Sequence, residues 1–116
     1  LVEAGDYVLK GQLIGEPPVP FSSAIHAPTS GTITALETQQ IAHASGLTAL
    51  CATLVPDGEE KWVERQPIDY HNTTEEAVYS ALRMAGVVGL GGATFPTDIK
   101  LHRGKHTIQT LILNAA

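Results

Sequence analysis

Two short phrases decide the fold of the first half of the chain: residues 5–12 read GDYVLKGQ, and residues 26–33 read HAPTSGTI. Each phrase sets a glycine-containing turn beside residues that alternate between apolar and polar, as a strand bounded by turns does. Short strands are predicted at residues 7–9, 12–14, 23–26, 32–36 and 47–55. Many short strands separated by closely spaced turns indicate a small all-β sandwich or barrel.

Together the two phrases resemble the barrel-sandwich hybrid of biotinyl and lipoyl carrier domains, in which a GDxVxxGQ turn and an APxSG turn lie in the two halves of a flattened barrel. Carrier domains present a modified lysine on a hairpin between these phrases. Here residues 16–25 contain no lysine, and Lys10 lies in the first turn. The resemblance therefore implies a structural β-module over residues 1–57, without a swinging prosthetic group.

Composition limits the class of protein. The chain is 43% hydrophobic and 16% charged, which suits a soluble globular protein, and its net charge of −5 argues against nucleic acid as a partner. No apolar run approaches the length of a transmembrane segment. The chain starts at Leu1 without a methionine or a signal-peptide pattern and stops in an apolar run, so we expect a fragment of a longer protein.

A linker and a helix are predicted in the middle of the chain. Residues 58–72 are mostly polar, and within them Trp62 is expected to hold the linker against a neighbouring surface. Thr73, followed by Glu76 three residues later, predicts a capping box at the start of a helix with apolar residues at helical spacing. Gly86 predicts the end of that helix.

The helix leads into residues 86–100, GVVGLGGATFPTDIK, which hold four of the eleven glycines and which we call the glycine loop. Closely spaced glycines allow backbone N–H groups to approach a phosphate. A dinucleotide-binding Gly-x-Gly-x-x-Gly loop follows a strand, however, and a P-loop has lysine directly after its last glycine, whereas Lys100 is eight positions past Gly92. A tight connection between two helices, with no ligand, is the alternative interpretation.

Residues 89–97, GLGGATFPT, followed by Lys100 and by LILNA at residues 111–115, resemble the FMN- and NADH-binding domain shared by the flavoprotein subunit of respiratory complex I and its relatives. A barrel-sandwich module before such a domain narrows the resemblance to the RnfC family of Rnf electron-transport complexes. The fold implied is mixed β and α/β: the β-module, the linker, and the truncated N-terminal part of an α/β FMN/NADH-binding domain at residues 73–116.

The resemblance implies six cofactor-binding residues: Gly89, Gly91, Gly92, Phe95, Lys100 and Asn114. The three glycines would pass under the flavin phosphate and NADH, and Phe95 would lie beside the NADH adenine. Lys100 would lie near the FMN phosphate or ribityl chain, and Asn114 would lie at the flavin.

Two residues depart from the complex I pattern. Leu90 stands where those relatives carry arginine, and Thr94 replaces a glycine. No metal site is predicted: a 4Fe-4S cluster needs several cysteines and Cys51 stands alone, so the clusters of the family are expected beyond Ala116.

The function implied is electron transfer between NADH and iron–sulfur centres or ferredoxin through FMN, coupled to ion translocation. The resemblance also implies other Rnf subunits as partners and a peripheral place at the cytoplasmic face of the plasma membrane. The alternative is a non-catalytic scaffold whose carrier-like β-module docks partners and whose glycine loop is merely structural.

Overall fold

The computed structural model describes residues 1–42, 45–91, 93–102, 104, 107–110 and 112. Five strands come first, followed by two helices. They are β1 (Tyr7–Val8), β2 (Leu13–Gly15), β3 (Ile25–His26), β4 (Gly31–Gln40), β5 (Thr48–Pro56), α1 (Glu75–Met84) and α2 (Thr97–Leu101). The predicted β-rich first half is confirmed, as are a helix before the glycine loop and a short helix after Pro96.

The strands form two small antiparallel sheets. One sheet has the order β1-β4-β5, and the other pairs β2 with β3. Val8, Ala27 and Ile33 are buried and form one apolar cluster, with Val2 and Leu54 packed against this core. Apolar side chains from both phrases therefore form the centre of the β-module.

Backbone hydrogen bonds join the two phrases directly. Gly5 N donates to Ile33 O at 2.7 Å, and Gly11 N donates to Ala27 O at 2.8 Å. Ala27 N donates in turn to Gln12 O at 2.9 Å. Each phrase therefore satisfies the polar backbone groups of the other where the chain turns.

The hairpin of β4 and β5 is longer than predicted, because β4 continues to Gln40 where the sequence indicated an end at Leu36. Cross-strand pairing with β5 extends the strand through this polar stretch, including the pair Gln39↔Ala49. The hairpin starts from a close backbone contact, since a Cβ on Gly31 would lie 2.9 Å from Pro56 Cα. Only glycine fits at that point.

The residues after β5 lie against the β-module. Asp57 accepts hydrogen bonds from the Tyr7 hydroxyl at 2.5 Å, from Ser30 Oγ at 2.7 Å and from Glu59 N at 2.9 Å. These donors, the Tyr7 hydroxyl first, lower the pKa of Asp57 to about 2. Ser30 is fully buried and also accepts a hydrogen bond from Lys61 N.

Trp62 behaves as the sequence predicts. Its ring contacts Gly11, where a Cβ would lie 3.1 Å from the indole, and residue 62 forms a parallel bridge with Lys10. Val63 N donates to Lys10 O at 3.0 Å, which continues this pairing. The first part of the predicted linker is thus attached to the first phrase.

Helix α1 starts one residue later than predicted. Thr74, in an extended conformation, is the N-cap and accepts from Ala77 N, so Thr73 is not the cap. Glu76 consequently lies in the first turn, one position short of the place that a capping box requires, and Ala77 occupies that place. The prediction of the capping box was wrong. The negative charge of Glu76 in the first turn still interacts favourably with the positive end of the helix dipole.

The end of α1 is confirmed at Gly86. Gly86 has φ +69°, its N–H donates to Arg83 O, and Val87 N donates to Leu82 O. These two bonds form a Schellman motif. The helix end also meets the β-module, since Ala24 N donates to Arg83 O and a Cβ on Gly86 would lie 2.6 Å from Ala24 O.

In the described ranges, no helix is long and apolar enough to cross a membrane. Among the same residues, no group of three or more histidine, cysteine, aspartate or glutamate side chains could hold a metal ion. The predicted strand around residues 111–113 lies mostly outside the description, so the α/β domain stays a prediction.

Candidate functional site

The glycine loop folds back on itself between the two helices. Val88 forms an antiparallel bridge with Pro96, and Gly89 N donates to Phe95 O at 2.9 Å. Thr97 N donates to Val87 O at 3.1 Å, which closes the base of the loop at the start of α2. The loop is therefore a hairpin-like projection with two paired arms.

Three of the six predicted site residues come together on this projection. Lys100 extends back from α2, and its ammonium lies against the α-carbon of Gly89, where a Cβ would collide with it. The same nitrogen is 5.9 Å from the centre of the Phe95 ring. The absence of a side chain at Gly89 gives Lys100 its position, and the result is a cation beside an aromatic ring.

Gly91 lies at the tip of the projection. It is exposed, and a Cβ there would meet no atom within 4 Å. Its neighbour Leu90 is fully exposed. Within the described part of the chain, no hydrogen bond is donated by the N–H groups of Leu90 and Gly91. The tip can therefore offer N–H groups to an anion, whereas the N–H of Gly89 is already used by Phe95.

Backbone strain marks the return arm of the loop. Thr94 has φ +44°, a left-handed conformation that is uncommon for a β-branched residue, and its N–H donates to Gly91 O at 3.0 Å. Such strain is frequent where a loop is held in one conformation for binding. Thr94 is the residue that the resemblance identified as replacing a glycine, the residue type that adopts a positive φ most readily.

Two predicted site residues, Gly92 and Asn114, lie outside the described residues. Sequence reasoning also missed two residues beside the loop. Phe21 makes an edge-to-face contact with Phe95, with ring centres 6.3 Å apart at 64°. Arg83 donates from Nη2 to Val19 O at 2.5 Å and so holds the segment that carries Phe21. No pattern within the proline-rich residues 17–22 pairs Phe21 with Phe95, so the sequence carries no signal for this contact.

Comparison with known proteins first defines the class. A family model described as the RnfC barrel sandwich hybrid domain matches residues 1–59, just over half of the 116 residues. The matched part contains both phrases and all five strands described above. The first half of the chain is thus a barrel-sandwich hybrid, as the resemblance implied.

The particular family follows from the same comparison: the chain belongs to the RnfC family. It is similar to proteins named as the C subunit of an ion-translocating oxidoreductase complex. The identity is 48% over 117 residues with the protein from Vibrio cholerae serotype O1, 49% over 119 with that from Serratia proteamaculans, and 42% over 120 with that from Erwinia tasmaniensis. These alignments cover 99–100% of the chain and 14–16% of each relative. The chain therefore spans about a seventh of the length of these relatives.

Proposed function

We propose that the chain is part of the C subunit of an ion-translocating electron-transport complex and that its glycine loop helps to bind FMN and NADH. Its relatives carry the name of such a protein. The observation that carries the cofactor proposal is the placement of the Lys100 ammonium over Gly89 and beside Phe95, next to the exposed tip of the loop. An ammonium and N–H donors are groups that bind a phosphate, and an aromatic ring is one that stacks on a base.

The residues present fit the phosphate end of FMN and one side of a dinucleotide. Bound FMN would supply the exchange of electron pairs with NADH and of single electrons with iron–sulfur centres. Lys100 and the N–H groups at Leu90 and Gly91 would hold the FMN phosphate, and Phe95 would orient the dinucleotide. Gly92 and Asn114 remain part of the proposed site. The 4Fe-4S clusters belong to other parts of the full-length protein, because a lone Cys51 cannot bind one.

The other subunits of the complex are the proposed partners of this chain, and electrons would pass between NADH and ferredoxin or iron–sulfur centres with ion translocation coupled to that transfer. The proposed location is peripheral, at the cytoplasmic face of the plasma membrane.

A scaffold role is the second candidate, and one observation favours it. The N–H groups of Gly89 and Thr94 are bonded to carbonyls of the loop itself, as in a purely structural hairpin. Titration of the full-length protein separates the two candidates. Flavin fluorescence should be quenched as apoprotein binds FMN, and NADH should bleach the bound flavin. A full-length protein that binds no flavin and is not bleached by NADH would favour the scaffold.

A further inference from the structure

Residues 19–22 lie between the two phrases, where carrier domains present their modified lysine, and they form a hydrogen-bonded turn. Ser22 N donates to Val19 O at 3.2 Å, and Ser22 Oγ accepts from Val19 N and donates to Val19 O. Pro20 fixes the second position of this turn. Phe21 follows at the third position, where a β-turn projects its side chain away from the chain. Its ring is therefore presented by a backbone with little freedom to move.

Two contacts attach this turn to the helix that leads into the glycine loop. Arg83 Nη2 donates to Val19 O at 2.5 Å, and Ala24 N donates to Arg83 O at 3.2 Å. Arg83 thus binds one segment of the β-module with both its side chain and its carbonyl. Because Arg83 lies three residues before Gly86, these two contacts fix the position of the turn relative to the start of the glycine loop.

Phe21 is nevertheless 70% exposed and Phe95 is 38% exposed. The pair does not bury its rings as a core contact would. The two rings meet edge to face at 64°, and each keeps part of its surface exposed. A flat heteroaromatic ring can stack on the exposed face of one such ring and contact the other with its edge.

We infer that Phe21 is a second aromatic wall of the dinucleotide site and contacts the adenine ring of NADH together with Phe95. The inference rests on the proposed function, which assigns Phe95 to the adenine. It adds a ligand contact from the β-module, so that the barrel-sandwich hybrid contributes to substrate binding as well as to architecture. The nicotinamide half of the cofactor would not touch Phe21.

The test uses the full-length protein, with Phe21→Leu to remove the ring and Phe21→Trp to restore one. ADP-ribose, which contains the adenine half, is titrated by calorimetry, and the reduced nicotinamide mononucleotide, which lacks it, is titrated by flavin bleaching. Phe21→Leu should weaken ADP-ribose about tenfold, the order of effect expected of base–aromatic stacking, and Phe21→Trp should recover most of the affinity. The affinity for the mononucleotide and the FMN content should not change.

Tyr70→Leu is the matched control, because Tyr70 is an aromatic residue of similar exposure, at 64%, whose ring contacts His71 at a tilted angle. It should leave the affinity for ADP-ribose unchanged. Equal affinity in wild type and Phe21→Leu would overturn the inference. Equal weakening of ADP-ribose and the mononucleotide would also overturn it, since Phe21 would then act through the shape of the loop. A wild-type protein that binds FMN but neither nucleotide refutes the role of Phe21 and the NADH part of the proposed function together.

Discussion

Lys100 is the residue at which the cofactor proposal is tested most directly. Its ammonium lies over Gly89, and no carboxylate among the described residues forms an ion pair with it. Replacing Lys100 with methionine keeps most of the aliphatic stem and removes a charge-assisted contact worth about 1.5–3 kcal/mol. We expect FMN to bind the full-length apoprotein about ten- to a hundredfold more weakly, as measured by fluorescence titration.

Riboflavin lacks the phosphate and should lose much less affinity in the same titration. Lys61→Met provides the matched control, because Lys61 is an exposed lysine that pairs with Glu59 in the linker, away from the glycine loop in the sequence. Equal losses for FMN and riboflavin in Lys100→Met would place Lys100 away from the phosphate.

The lowered pKa of Asp57 leads to a prediction about how the stability of the protein depends on pH. Its folded pKa is about 2, against 3.8 for the ordinary side chain, chiefly because the Tyr7 hydroxyl donates to the carboxylate. A lowered folded pKa means that the unfolded chain binds more protons between these values. The stabilisation is therefore fully present above about pH 4 and is lost as the pH falls through about 2.

Denaturant unfolding of wild type and Asp57→Asn between pH 2 and pH 5 measures this effect. The free energy of unfolding of wild type should fall more steeply with decreasing pH than that of the variant. Parallel pH profiles would show that the three hydrogen bonds to Asp57 do not stabilise its charged form.

Among the elements, helix α1 depends on one glycine. Gly86 has a left-handed φ and meets Ala24 O, so Gly86→Ala has two causes of destabilisation. Gly58 has φ +78° but nothing within 4 Å of its Cβ position, so Gly58→Ala has only the conformational cause, roughly 1–2 kcal/mol. We expect thermal unfolding to show a larger loss of stability for Gly86→Ala. Equal losses would mean that α1 does not approach Ala24 closely.

The elements also show how far the sequence could predict the structure. Turn glycines and alternating residues predicted the strands and the end of α1, because those signals depend on local backbone geometry. The sequence did not distinguish Thr74 from Thr73 as the N-cap, because each threonine carries a hydroxyl oxygen that can accept the capping hydrogen bond. The length of β4 could not be predicted, because its pairing partner, and not its own polar sequence, extends it.

The candidate site was predictable only in part. Gly89, Phe95 and Lys100 could be named from a family resemblance carried by one continuous stretch of sequence, and the structure brings these three together. Phe21 could not be found in this way, because its contact with Phe95 joins residues that are 74 positions apart in the numbering. Contacts between separate elements leave no periodic pattern in the chain.

In the molecule as a whole, residues 16–25 lie between the two phrases, where carrier domains present a modified lysine, and here they have a structural role. Residues 16–25 contain no lysine, and their Val19 and Ala24 are bonded to Arg83 of α1. A segment attached to a helix in this way cannot swing. Mass spectrometry of the full-length protein from its native cell should therefore find no biotin or lipoyl adduct before residue 57. An adduct there would contradict the structural role of the module.

The strand order of the larger sheet has a practical consequence for handling the protein. Within the described part of the chain, β5 pairs with a strand on one side only, and Thr48–Pro56 has no charged side chain and no proline before its last residue. An uncharged strand with unpaired backbone groups is a template on which another molecule can add a strand. Preparations that leave this edge uncovered are accordingly prone to self-association and aggregation, which light scattering at increasing protein concentration would reveal.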